Sequence, residues 1–202
     1  MLVGSFADRA HTLKTEEEIE VLFSTLESGI VKIEDPRQVY SEPQESELLD
    51  KGAFGEVFLV KRIVDDMKVV LKVSCRQDTH KYDNLIREAT LMTSIQDENV
   101  LSCLEAYNWE NRVWLFLPYM NLGKLTTLCL DRCKNGVGPF SESSCKYLIY
   151  RICHGLLAFH QRNILHRDIK SDNVFLTEEG DVKLADLGFS VFLSEENQER
   201  TT

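Results

Sequence analysis

One short stretch of the chain concentrates ionisable and amide side chains between apolar segments. It consists of His166-Arg167-Asp168-Ile169-Lys170-Ser171-Asp172-Asn173, and Asp186-Leu187-Gly188 follows after a strand-sized interval. Asp168 can accept a proton from a hydroxyl group, and Lys170 can neutralise a transferred phosphoryl group. Asn173 and Asp186 offer oxygen ligands for a hard cation such as Mg²⁺. These residue types are the ones that phosphoryl transfer requires.

The residues around this stretch predict the elements that hold it. An apolar helix is predicted from Tyr147 to His160, and Ser141 can cap the helix that contains it. The core positions predicted on this helix are Leu148, Ile149, Ile152, Leu156 and Phe159. A strand is predicted at Val174-Phe175-Leu176. Charged loop clusters are commonly solvated turns, but further motifs lie upstream in a fixed order and favour chemistry.

A glycine loop and a lysine-bearing strand precede this stretch. The run from Leu49 to Val60 predicts strand, tight loop and strand, and Lys68 to Val73 predicts the next strand. Glycine has no side chain, so the backbone N–H groups of such a loop can approach phosphate oxygens. A dinucleotide-binding fingerprint would open a helix directly after its glycines, so that interpretation is disfavoured.

The remaining upstream elements follow from hydrophobic spacing. A helix is predicted from Tyr82 to Ile95, and it contains Glu88. A hairpin is predicted from Leu101–Tyr107 and Arg112–Leu117, and a short helix from Leu122 to Cys133.

The stretch from about residue 44 to residue 202 resembles the catalytic domain of eukaryotic protein kinases. Its Ile-Lys-Ser-Asp-Asn sequence, residues 169–173, is most similar to the PAK-type serine/threonine kinases. The resemblance implies an α+β, two-lobed fold. Residues 44–117 would form an N-terminal lobe with a five-stranded antiparallel sheet and one helix. Residues 118–202 would form the hinge and an incomplete, mainly helical C-terminal lobe that stops in the activation segment.

The resemblance also assigns roles to individual residues. The residues implied in catalysis are Asp168, Lys170, Lys72 and Glu88, the last two as an ion pair that grips the nucleotide phosphates. Those implied to bind metal are Asn173 and Asp186, and those implied in regulation are Arg167, as a phosphate receiver, and Thr202, as the phosphorylated residue. Those implied to contact ATP are Leu49, Gly52, Ala53, Phe54, Gly55, Val57, Val70, Lys72, Leu117, Pro118, Tyr119, Met120 and Phe175.

Three residues depart from the family's pattern. Asp50 stands at the first glycine position of the loop, where its charge would repel the triphosphate by about 1 kcal/mol in a half-solvated site. ATP binding is therefore expected to be weakened but retained. Val70 replaces the usual alanine and should narrow the base pocket. Leu187 replaces the usual phenylalanine and keeps an apolar plug, so metal binding should survive.

The resemblance implies a protein serine/threonine kinase that uses ATP and Mg²⁺ in intracellular signalling. Serine- or threonine-containing proteins would be its substrates, and a small GTPase or another regulatory protein its partner. Little peptide phosphorylation is expected from residues 1–202 alone. Two alternatives stay open: a nucleotide-binding pseudokinase or scaffold, favoured by Asp50 and Leu187, and a small-molecule kinase, disfavoured by Lys170.

Composition excludes several other classes. The chain has 202 residues, 43% of them apolar, and a formal net charge of −10, which argues against a nucleic-acid binder. No apolar run is long enough to span a membrane, so a cytoplasmic protein is expected. The six cysteines form no Cys-x-x-Cys pair, which favours reduced packing thiols.

Residues 1–43 are predicted to form an N-terminal extension. A capping box at Thr15 and an apolar stripe of Ile19, Leu22, Phe23 and Leu26 predict a short amphipathic helix. The polar, turn-rich residues 35–43 are predicted to be a linker.

Overall fold

The structure, a computed structural model, describes residues 31–193 except residue 33, residues 53–54, residues 76–78 and residue 111. The described chain divides into two compact units. Residues 31–93 and 102–119 form the sheet unit, and residues 94–101 and 120–193 form the helical unit. The predicted N-terminal helix around Ile19 lies outside the described residues, as do Ala53, Phe54 and Thr202.

The sheet unit is built on one six-stranded sheet with the order β1-β5-β6-β4-β3-β2. Its strands are β1 (Val31–Lys32), β2 (Leu48–Gly52), β3 (Gly55–Lys61), β4 (Lys68–Cys75), β5 (Glu105–Trp109) and β6 (Arg112–Pro118). Strands β2 to β6 pair antiparallel, as predicted, and helix α1 (Thr79–Ser94) follows β4. The prediction of five strands is corrected by β1, which the N-terminal extension adds parallel to β5.

The strand register shows which side chains lie on each face of this sheet. Side chains directly opposite each other on paired strands share a face, and the face alternates along each strand. The inner face, as defined by this register, carries Val57, Val70, Lys72, Leu115 and Leu117. The outer face carries Glu56, Phe58, Leu71, Val73, Trp114 and Phe116.

Tyr40 covers part of the outer face. Its side chain is 3% exposed, and its ring stacks on Phe116 with 3.7 Å between the ring centroids. Its hydroxyl donates to Glu105 Oε2 over 3.1 Å. The interpretation of residues 35–43 as a linker is therefore wrong at Tyr40, because the segment supplies part of the hydrophobic core of the sheet unit.

Glu105 collects three donors at the edge of this core. Its carboxylate accepts from Lys32 Nζ at 2.6 Å and from the Tyr107 hydroxyl at 2.7 Å, as well as from Tyr40. Burial alone would raise the pKa of Glu105, but the bonds from Lys32, Tyr107 and Tyr40 outweigh it and hold the pKa below its ordinary value. Strand β1 and Tyr40 are thus both tied to the sheet through one carboxylate.

The Tyr40→Phe variant should lower the free energy of unfolding by about 1–2 kcal/mol, because the stacked ring stays while a hydrogen bond to a charged acceptor is lost. Urea denaturation at neutral pH measures the difference. Since the depressed pKa of Glu105 stabilises the fold only while the carboxylate is ionised, the difference should shrink as the pH falls through that pKa. A constant difference down to acidic pH would contradict the assignment of the lost free energy to this bond.

The described part of the helical unit contains two α-helices and two small sheets. Its elements are β7 (Gly123–Lys124), α2 (Leu125–Lys134), α3 (Glu142–His160), β8 (Ile164–Leu165), β9 (Val174–Leu176), β10 (Val182–Leu184) and β11 (Val191–Phe192). Strands β10, β9 and β7 form one sheet, and β11 pairs with β8. None of the described helices is both long and apolar enough to cross a membrane.

Residues 94–101 belong to the helical unit, although they were predicted within the N-terminal lobe. Backbone bonds hold them there: Leu101 N donates to Leu184 O, and Leu184 N donates to Asn99 O, each over 2.8 Å. The buried side chain of Asn99 adds a bond to Val182 O at 3.1 Å. These contacts bridge more than eighty positions of the sequence, so local periodicity does not indicate them.

Helix α3 confirms its predicted cap and part of its predicted core. Ser141 Oγ accepts from Ser144 N at 3.1 Å, which satisfies a free N–H group in the first turn. Leu148 and Phe159 are buried, and Ile152 and Leu156 are half-buried. Ile149 was predicted as core but is 61% exposed, because it lies beyond the stripe of the helix that faces β10.

One glycine fixes how closely α3 approaches its neighbours. A Cβ atom added to Gly155 would lie 2.8 Å from the carbonyl oxygen of Asn99 and 2.9 Å from Leu184 Cδ1. Real Cβ atoms essentially never come so close to other heavy atoms, and one of these two neighbours is backbone. The close packing of α3 on β10 therefore depends on the absence of a side chain at Gly155.

Candidate active site

A buried ion pair lies on the inner face of the sheet unit. Lys72 Nζ and Glu88 Oε2 are 2.5 Å apart, and their side chains are only 13% and 6% exposed. Lys72 is placed by β4, where it lies opposite Val57, and Glu88 is placed by α1. The pairing predicted for these two residues is present, and it directs an ammonium group to the face that also carries the predicted adenine contacts.

The glycine loop connects β2 and β3 on the same sheet. Gly52 and Gly55 are paired across it, and Gly55 has a φ of +122°. A Cβ at Gly55 would lie 2.1 Å from the carbonyl oxygen of Val73, so only glycine fits. Asp50 lies opposite Val57 with an exposed side chain. Its repulsion of phosphate stays a prediction.

The structure brings most of the predicted apolar ATP contacts of the sheet unit together. Leu117 is buried opposite Val70 on the inner face, and Val57 and Val70 are half-buried. Pro118 ends the strand that carries Leu117, and Tyr119 directly follows it. Leu49, by contrast, is 52% exposed, so it is not part of this cluster.

The catalytic candidates lie in a hydrogen-bonded turn of the helical unit. Lys170 Nζ donates to Asp168 Oδ2 at 2.6 Å, and Asn173 Nδ2 donates to the same oxygen at 2.9 Å. Asn173 Nδ2 also donates to the backbone oxygen of Asp168 at 2.9 Å. A short 3-10 turn, Ser171–Asn173, bridges from Lys170 into β9. The carboxylate predicted as the proton acceptor is thus held by the other two residues of the predicted set.

These bonds set the protonation of the turn. The bond from Lys170, together with that from Asn173, holds the pKa of Asp168 below its ordinary value, because both donors favour the ionised form. The same contact with Asp168 raises the pKa of Lys170. At neutral pH the turn therefore holds a carboxylate beside an ammonium group, the charge states that base catalysis and phosphoryl stabilisation require.

Replacement of Lys170 by methionine should raise the pKa of Asp168, since the charge-assisted bond that favours the carboxylate is lost. NMR titration of the Asp168 carboxyl carbon measures this directly. Methionine at Lys134, which is exposed at the end of α2, is the matched control and should leave the titration unchanged. An unshifted Asp168 in the Lys170→Met variant would show that Lys170 does not set its charge.

His166 links this turn to the segment that contains Asp186. Its buried ring accepts from Asp168 N at Nδ1 over 3.3 Å, so Nε2 carries the proton and donates to Ala185 O over 3.0 Å. Burial lowers the pKa of His166, which keeps the ring neutral and preserves this pair of bonds. His166 therefore positions the backbone on both sides of the candidate site.

The predicted metal ligands are adjacent through the backbone. Ala185 N donates to Asn173 O at 2.9 Å, which places Asp186 one residue beyond a bond to Asn173. Asp186 is partly exposed and left-handed, with a φ of +65°, a strained conformation for a non-glycine residue. Because Nδ2 of Asn173 donates to Asp168, its amide oxygen is left to bind a cation. One amide and one carboxylate oxygen, completed by substrate phosphates, suit Mg²⁺.

Among the residues the structure describes, no cluster of three or more His, Cys, Asp or Glu side chains could hold a metal ion by itself.

Comparison with known protein families shows which family this chain is related to. The model of the protein kinase domain matches residues 44–202. The chain belongs to the protein kinase family. The resemblance drawn from the motifs is confirmed by this match, and the kinase-like fold expected from it is confirmed as well.

Several curated kinases are similar along most of the chain. Serine/threonine-protein kinase SKM1 of Saccharomyces cerevisiae is 32% identical over 174 residues, which cover 75% of this chain and 27% of that protein. Serine/threonine-protein kinase pakB of Dictyostelium discoideum is 32% identical over 174 residues, covering 86% and 20%. Serine/threonine-protein kinase SMU1 of Mycosarcoma maydis is 28% identical over 199 residues, covering 98% and 25%. The chain spans about a quarter of the length of these kinases.

In this kinase chain the predicted phosphate receiver, Arg167, has a local partner. Its Nε donates to Phe189 O at 2.7 Å, and its exposed backbone is left-handed with a φ of +64°. A guanidinium has five N–H donors, so further donors remain for an anion. The pairing of Arg167 with a phosphate on Thr202 stays a prediction, because Thr202 is outside the described residues.

Two contacts of the turn that contains Asp168, Lys170 and Asn173 were not predicted from the sequence. Thr126 Oγ1 and Ser171 Oγ are 2.6 Å apart, which ties α2 to the 3-10 turn that carries Asn173. The second is the pair of bonds that His166 makes to Asp168 and Ala185. Thr126 and Ser171 are forty-five positions apart, so the sequence gives no local signal for the first contact. Phe175 and Met120, both predicted to contact ATP, lie in the helical unit, where Phe175 is half-buried on β9 and Met120 is buried.

Proposed function

We propose that this protein is a serine/threonine kinase that transfers the γ-phosphoryl group of Mg-ATP to hydroxyl groups of proteins. The observation that carries the proposal is the Asp168 carboxylate held by both Lys170 and Asn173. The buried Lys72–Glu88 pair supports it, since family members use such a pair to hold nucleotide phosphates. The serine/threonine kinases similar to this chain support the class of substrate.

The proposed mechanism uses the observed bonds. Asp168 accepts a bond from the substrate hydroxyl, orients its oxygen toward the γ-phosphorus and takes its proton as the new O–P bond forms. Lys170 donates to the γ-phosphoryl oxygens and offsets their charge. Lys72, aligned by Glu88, binds the α- and β-phosphates of the leaving ADP. Asn173 and Asp186 would hold Mg²⁺, which when bound neutralises charge on the β- and γ-phosphates.

The proposal also covers the cellular location and the regulatory partner of the enzyme. A cytoplasmic protein with a small GTPase or another regulatory protein as partner fits the similarity to PAK-like kinases. Asp50 in the glycine loop is proposed to weaken nucleotide binding without abolishing it, because its exposed position leaves its charge partly screened.

Thermal unfolding with and without nucleotide tests this function. ATP with Mg²⁺ should raise the unfolding temperature, since a ligand that binds only the folded state stabilises it by about 2.7 kcal/mol at a hundredfold excess over Kd. Asp186→Asn should remove most of the Mg²⁺-dependent part, whereas Glu179→Gln, on an exposed turn nearby in the sequence, should not. Well-folded protein that shows no shift at saturating Mg-ATP would refute the nucleotide-binding function.

A nucleotide-binding pseudokinase is the second candidate, and Leu187 is the observation that bears on it. Leu187 is 1% exposed, so it fills its apolar site in place of the family's phenylalanine and leaves Asp186 in position. This observation favours the active kinase. A protein extended through the rest of the kinase domain that binds Mg-ATP but transfers phosphate to no protein hydroxyl, its own included, would instead be a pseudokinase.

A further inference from the structure

A groove separate from the catalytic residues lies on the outer face of the sheet unit. It has a volume of about 290 Å³, and its lining includes Leu48, Lys51, Phe58, Val73, Arg112 and Trp114. Pockets for whole cofactors or drug-sized molecules are generally larger, about 300–1,000 Å³. The groove is close to the lower limit of this range, so it is large enough for one large side chain of a peptide and a neighbouring group.

Two groups in the lining lack partners. Trp114 is 7% exposed, and its indole Nε1 has no hydrogen-bond acceptor. Buried polar groups are nearly always paired, so an unpaired donor in a groove wall indicates a missing acceptor. Arg112 is exposed and makes no ion pair with any described residue, whereas Lys51 beside it is paired with Glu56 at 2.7 Å. The lining also contains the carboxylates of Glu45 and Glu56, and Glu56 is the one that pairs with Lys51. An occupant with an apolar side chain and a single carboxylate would therefore satisfy Arg112 and cover Trp114.

The chain itself contains such a segment. Residues 16–23, Glu-Glu-Glu-Ile-Glu-Val-Leu-Phe, combine four acids with four apolar side chains. Glu20 and Phe23 are three positions apart and would share one face of a helix. Their charge and hydrophobicity complement Arg112 and the apolar wall formed by Phe58, Val73 and Trp114.

The residues between Phe23 and strand β1 form a connection long enough for this segment to reach the groove. Phe23 precedes Val31 of β1 by eight residues, which can span roughly 26 Å when extended. Strand β1 is four strand spacings from β3 in the sheet order, roughly 19 Å at the usual separation. The segment can therefore reach the groove within its own chain.

We propose that residues 16–23 bind in this groove, with Phe23 against Trp114 and Glu20 paired with Arg112. The groove also includes Lys51 and Glu56, which directly flank the glycine loop on β2 and β3. Binding there would connect the N-terminal extension to the two strands that hold this loop. The interaction does not depend on kinase activity.

Fluorescence quenching of the whole chain tests this binding. Trp109 and Trp114 are the two tryptophans of the protein, so a Trp109→Phe background leaves Trp114 as the sole reporter. In that background Phe23→Ala should raise the acrylamide quenching constant of Trp114 about twofold, because an aromatic ring that shields the indole is removed. Phe6→Ala, the matched control, should leave the constant unchanged. Equal constants for the Phe23→Ala variant and its parent would overturn the proposal.

A charge exchange tests the same contact without removing an apolar side chain. Arg112→Glu should raise the quenching constant, and adding Glu20→Arg should restore it by reversing the pair. A double variant no better shielded than Arg112→Glu alone would count against the Glu20–Arg112 pair. Loss of shielding on dilution, with a matching change from dimer to monomer, would show that a second copy supplies the segment, and would refute binding within one chain.

Discussion

In a protein that carries the rest of the kinase domain, replacement of Asp168 by asparagine is expected to lower the rate of phosphoryl transfer by about 10²- to 10⁴-fold, the usual contribution of a positioned general base. The substitution keeps the size of the side chain and an oxygen that can accept from Lys170 and Asn173, but it removes the negative charge and the basic oxygen. The affinity for Mg-ATP should stay nearly unchanged, because the proposed nucleotide contacts lie on Lys72, Asn173 and Asp186. Transfer of radiolabelled phosphate to a protein substrate and a separate titration of nucleotide binding measure the two effects.

The same turn supplies a control for this result. Asp172 lies four residues further on with an exposed side chain, so Asp172→Asn changes the net charge equally without touching the bonded set. Its rate should stay close to that of the unaltered protein. Equal rates for the Asp168→Asn protein and the unaltered one would remove Asp168 from the chemistry.

Loss of Lys72 should have the largest effect on stability. Glu88 is 4% exposed, and replacing Lys72 by methionine would leave its carboxylate buried without the ammonium group beside it. Breaking a buried pair in this way costs about 3–5 kcal/mol, because the remaining charge keeps its desolvation penalty. Urea denaturation should therefore show a much lower midpoint. The double variant Lys72→Met/Glu88→Leu should recover part of the loss, since it removes the unpaired charge as well.

An exposed ion pair in α3 is the control for the Lys72→Met variant. Lys146 Nζ and Glu142 Oε1 are 2.7 Å apart with side chains 74% and 83% exposed. Methionine at Lys146 should change the free energy of unfolding by less than about 1 kcal/mol, as exposed pairs do. If Lys72→Met costs no more than Lys146→Met, the Glu88 charge is compensated by other groups, and Lys72 matters for nucleotide binding alone.

The catalytic turn was predictable because its signals are local. Asp168, Lys170 and Asn173 lie within six residues, so their order alone predicts that they lie together, and the bonds between them show that they do. The glycine loop was predictable from the pattern of the strands on either side of it, whereas the Lys72–Glu88 pair was implied by the family resemblance. Family resemblance added the assignments that spacing could not give.

The parts that were missed depend on distant residues. Strand β1 forms only because Val31 meets Ala106, and Tyr40 is buried only because Phe116 offers it a ring surface. The apolar pattern of α3 included Ile149, but the pattern alone does not show which of its apolar residues face β10. Polar residues near a turn, such as those around Tyr40, favour a linker interpretation whenever their partners lie far along the chain.

The missing side chain of Gly155 limits how the sequence of α3 can diverge. Exposed neighbours such as Cys153 and His154 can change with little consequence for the fold. At position 155 even alanine would have to push the helix away from Asn99 and Leu184. Strand β10 leads directly into Ala185 and Asp186, so displaced backbone there would shift a metal ligand. We therefore expect the exposed residues around position 155 to vary among related sequences. Position 155 itself should remain glycine, because a side chain there would displace the backbone that leads to Asp186.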